Sequence, residues 1–76
     1  MSQIDPWAKA ADCERALMLA QDPVYRGNLT SIREFWISLA HKCAFLSAAE
    51  FANEAEAIGR LHASLSATVA MHQIAA

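Results

Sequence analysis

The chain is expected to be all-α, an antiparallel helical hairpin or three-helix bundle completed by oligomerisation, and three observations lead there. Of its 76 residues 17 are alanine, the strongest helix former. Glycine and proline number two each, too few to punctuate a chain of short strands. The apolar residues recur at spacings of three and four rather than two, which places them on one side of a helix.

The first helix has a legible start. Asp5 is placed to cap the free amides of an opening turn, and Pro6 occupies the first helical position, where a missing N–H costs nothing. The helix is expected over residues 6–20. Ala10, Cys13, Leu17 and Ala20 form its apolar stripe, widened by Trp7, Ala11 and Met18, while Lys9, Asp12, Glu14 and Arg15 face solvent.

Asp22 and Pro23 repeat the same signal, so a second helix is expected over residues 23–46, with Asp22 and Arg26 pairing across one turn. Gly27 then falls inside the helix, at about 1 kcal/mol relative to Ala, and a break at Gly27 and Asn28 is the main alternative. Tyr25, Leu29, Ile32, Trp36, Leu39, Cys43 and Leu46 follow one another at four, three, four, three, four and three residues, a heptad seam suited to packing against another helix. Phe35 and Ala40 broaden it. Ile37, Ala44 and Phe45 fall on the far side, so this helix needs partners on more than one face.

Ser47-Ala-Ala-Glu50 has the form of a capping box, flanked by Leu46 and Phe51 as a hydrophobic staple. It starts a third helix, expected over residues 48–70, with Phe51, Ala55, Ile58, Leu61, Leu65 and Val69 on its apolar face and Glu56 paired with Arg60. A single continuous helix from Pro23 is the competing reading. The terminal Met71-His-Gln-Ile-Ala-Ala is expected to fray.

Residues 13–40 also carry a pattern: Cys13-x-x-x-Leu17-x-x-Ala20, Asp22-Pro23-x-x-Arg26, Leu29, then Trp36-x-x-Leu39-Ala40. It resembles a group of short helical proteins common in alphaproteobacteria, in which the position of Leu17 is often alanine. The resemblance implies a helical hairpin turning at Asp22 and Pro23. It carries no activity to transfer, and the segment from Ser47 onward goes beyond it.

A formal charge of −2 and six scattered Lys and Arg residues give no attraction to phosphate backbones, so no nucleic-acid partner is expected. No stretch is long and apolar enough for a membrane span, few basic residues favour a membrane surface, and no secretory leader is evident. The expectation is a cytoplasmic protein without a membrane partner. Cys13 and Cys43, nine residues before and twenty-one after the turn at Asp22, lie too far apart for a disulfide within a hairpin.

His41, His62 and His72 raise a metal or haem hypothesis. His62 and His72 are separated by about 15 Å along a helix, and His41 faces away from the seam, so ligands would have to come from two subunits. That is the alternative reading; the first has no metal, cofactor or catalytic residue. No nucleophile–base pair or phosphate loop is present, and three short packed helices leave little room for a substrate pocket, which together argue against an enzyme.

A chain of this size buries only about 60% of its unfolded surface, and without disulfides or metal it is expected to gain stability by association, as a homo-oligomer and specifically a dimer. Trp36 and Phe51 belong to the core by position. Trp7, Phe35, Ile37 and Phe45 are the candidate interface residues of a small interaction or regulatory module.

Overall fold

A computed structural model of the chain describes the backbone of residues 4–75 and the side chains of residues 4–67. Three helices follow in order: α1, Pro6–Leu19; α2, Pro23–Lys42; and α3, Ala48–Ala75, with a 3₁₀ turn at Cys43–Phe45 between α2 and α3. No strand occurs among the described residues. The protein is an all-α helical bundle.

The helix starts follow from local chemistry. Asp5 accepts a hydrogen bond from the Trp7 amide at 3.0 Å, and Asp22 accepts one from the Tyr25 amide at 2.8 Å, each with proline next in the chain. At α3 the capping box is complete. The Glu50 amide donates to Ser47 Oγ at 3.1 Å, and the Ser47 amide donates to Glu50 Oε1 at 2.8 Å. Helices α2 and α3 are therefore separate, and Gly27 sits within α2 without breaking it.

Helix α2 is central. Both α1 and α3 pack on it, and among the described residues they have almost no contact with each other. The core joins Ala10 and Cys13 of α1, Ile32, Trp36 and Leu39 of α2, and Ala55 of α3. Leu29 is equally buried, and Ile37, Leu46, Phe51, Ile58 and Leu65 pack around the cluster at partial exposure. Trp36 is only 3% exposed. The small residues on α1 and α3 let both helices close on so large a side chain.

Several details differ from the sequence expectation. The α-helical part of α2 ends at Lys42, four residues early, because the chain tightens into the 3₁₀ turn. That turn has about 3.0 residues per turn instead of 3.6; Cys43, its first residue, is exposed instead of lying on the seam, while Leu46 beyond it still packs against the core. Met18 does not widen the stripe of α1 but is 84% exposed at its end. On α3 the buried side turns toward His62, leaving Leu61 exposed, and the helix continues to Ala75 rather than stopping near residue 70. The side chains of Val69 and of the terminal segment lie outside the described residues.

The Asp22–Arg26 pair does not form. The Asp22 carboxylate is committed to the Tyr25 amide, and the Arg26 guanidinium instead donates to the carbonyls of Leu17 and, at 2.9 Å, Ala20. Helix α1 has no basic residue in its own last turn. Arg26 thus supplies, from the next helix, the cation that the carbonyl end of α1 favours.

Candidate functional site

Because α1 and α3 lean on α2 without meeting, a cleft runs between them. Lys9, Asp12 and Ala16 stand on its α1 side, Gly59, His62 and Ala63 on its α3 side, and Tyr25, Leu29 and Trp36 of α2 form the floor, enclosing about 480 Å³. A separate hollow of about 460 Å³ lies at the other end of α1, bounded by Ile4 and Pro6 on one side and Ala48 and Phe51 on the other, over Cys43 and Leu46; between the two, Ala10 and Ala55 are buried in the core. Both hollows are grooves open to solvent, and the floor of the first, at Leu29 and Trp36, is buried.

The polar groups along the cleft are surface groups at its rim. Asp12 is ion-paired with Arg15 on its own helix. Cys13 is buried and unpaired; burial first, and the Asp12 charge second, raise its thiol pKa, while Arg33 and Lys9 pull in the opposite direction. Two ion pairs brace the helices on the outside: Arg33 Nη2 lies 2.7 Å from Glu14, joining α2 to α1, and Lys42 lies 2.7 Å from Glu54, joining α2 to α3. Each is exposed enough to contribute at most about 1 kcal/mol.

The candidate interface residues do not gather into one patch. Trp7 is 53% exposed and meets His41 edge-on, ring centroids 5.4 Å apart, on the α1–α2 flank. Phe35, 46% exposed, lines a shallow depression with Lys42, Glu54 and Ile58 on the α2–α3 flank. Ile37 is half-buried against the core cluster. Phe45 stands out from the 3₁₀ turn at 86% exposure.

Sequence reasoning missed two apolar features. Met18, Leu19 and Val24 are exposed together around the α1–α2 turn. The cleft itself was also missed, although its α3 wall has a sequence signal: Ala48, Gly59, Ala63 and Ser66 line the two hollows and are all small.

His41 is exposed on α2, His62 is half-buried on the cleft wall, and the His72 side chain lies outside the described residues. Among the described residues no three His, Cys, Asp or Glu side chains are grouped as metal ligands. No helix of the described residues is long and apolar enough to cross a membrane. No protein-family model, curated protein or solved structure matches the chain.

Proposed function

We propose that this protein is a small non-enzymatic helical module that dimerises and acts through protein–protein contact, as an interaction or regulatory component. The observation that carries this reading is the apolar surface among the described residues. Large apolar side chains stand exposed at Trp7, Met18, Leu19, Val24, Phe35 and Phe45, and exposed apolar surface of this kind serves contact with other proteins.

The remaining features agree with that reading. The carboxylates serve caps and surface ion pairs, at Asp5, Asp22, Glu50, Glu14, Glu54 and Glu56. Both cysteines are unpaired thiols, which suits a cytoplasmic location. A negative charge with dispersed cations suits a protein partner better than a nucleic acid. Sedimentation equilibrium tests the reading: the expected result is a species of twice 8.3 kDa at micromolar concentration, and a mass of one chain throughout the micromolar range overturns it.

A further inference from the structure

We draw no further inference here: the strongest candidate, the exposed apolar patch of Met18, Leu19 and Val24 at the α1–α2 turn, carries nothing because no feature of the structure shows what covers it.

Discussion

Cys13 and Cys43 carry the same side chain into opposite environments. Cys13 lies in the core beside Trp36, while Cys43 was turned outward by the 3₁₀ turn and donates weakly to the Ala40 carbonyl at 3.2 Å. The nucleophile in thiol chemistry is the thiolate, and both burial and the nearby Asp12 charge keep Cys13 protonated. A thiol reagent at mildly alkaline pH is therefore expected to modify Cys43 promptly and Cys13 only after denaturant is added. Modification of both at one rate in the native protein would show that the α1–α2 interface is not closed. Glu50 offers a second test. The Ser47 backbone amide first, and its hydroxyl second, hold the Glu50 carboxyl below its ordinary value of 4.5. A native pKa below the unfolded one gives stability that is fully present above the unfolded value and lost as pH falls through the lower native value. The stability difference between the parent and Glu50→Ala, measured by urea titration, should thus be constant near neutrality and shrink below about pH 4. A difference equal at about pH 7 and pH 3 would remove the charge from the role of the cap.

Helix starts were legible because each is settled within four residues: Asp5 and Pro6, Asp22 and Pro23, Ser47 and Glu50. Helix ends and faces were legible only while the chain kept a constant pitch. The seam from Tyr25 to Leu39 follows from counting, and the count misses at Cys43, where the chain tightens into the 3₁₀ turn, but holds again at Leu46, which packs against the core. The destination of Arg26 was not legible either, since local spacing points it at Asp22, and only the fold brings the Leu17 and Ala20 carbonyls within reach. This distinction can be measured. Arg26→Ala should lose about 1 kcal/mol, the net worth of an exposed charge-assisted hydrogen bond at a helix end. Combined with Asp22→Asn, which keeps a capping side chain, the two effects should add to within about 0.5 kcal/mol. A larger coupling would mean that Arg26 pairs with Asp22 after all.

The cleft was beyond sequence reading for a different reason. Periodicity shows which side of α1, α2 and α3 is apolar, but not the angle at which α1 and α3 rest on α2, and it is this angle that opens the space over Tyr25, Leu29 and Trp36. A 76-residue domain with a small core holds only a few kcal/mol of stability by itself, so pairing and folding should be linked. For a dimer that separates as it unfolds, each tenfold rise in concentration adds about 1.4 kcal/mol per dimer, or about 0.7 per chain. With about 4–8 °C per kcal/mol for domains of this size, the thermal midpoint should climb by about 3–6 °C for every tenfold increase in protein concentration. A midpoint that stays fixed across a hundredfold range would mean instead that a single chain stabilises itself, and that Trp36 and its small neighbours suffice as a core.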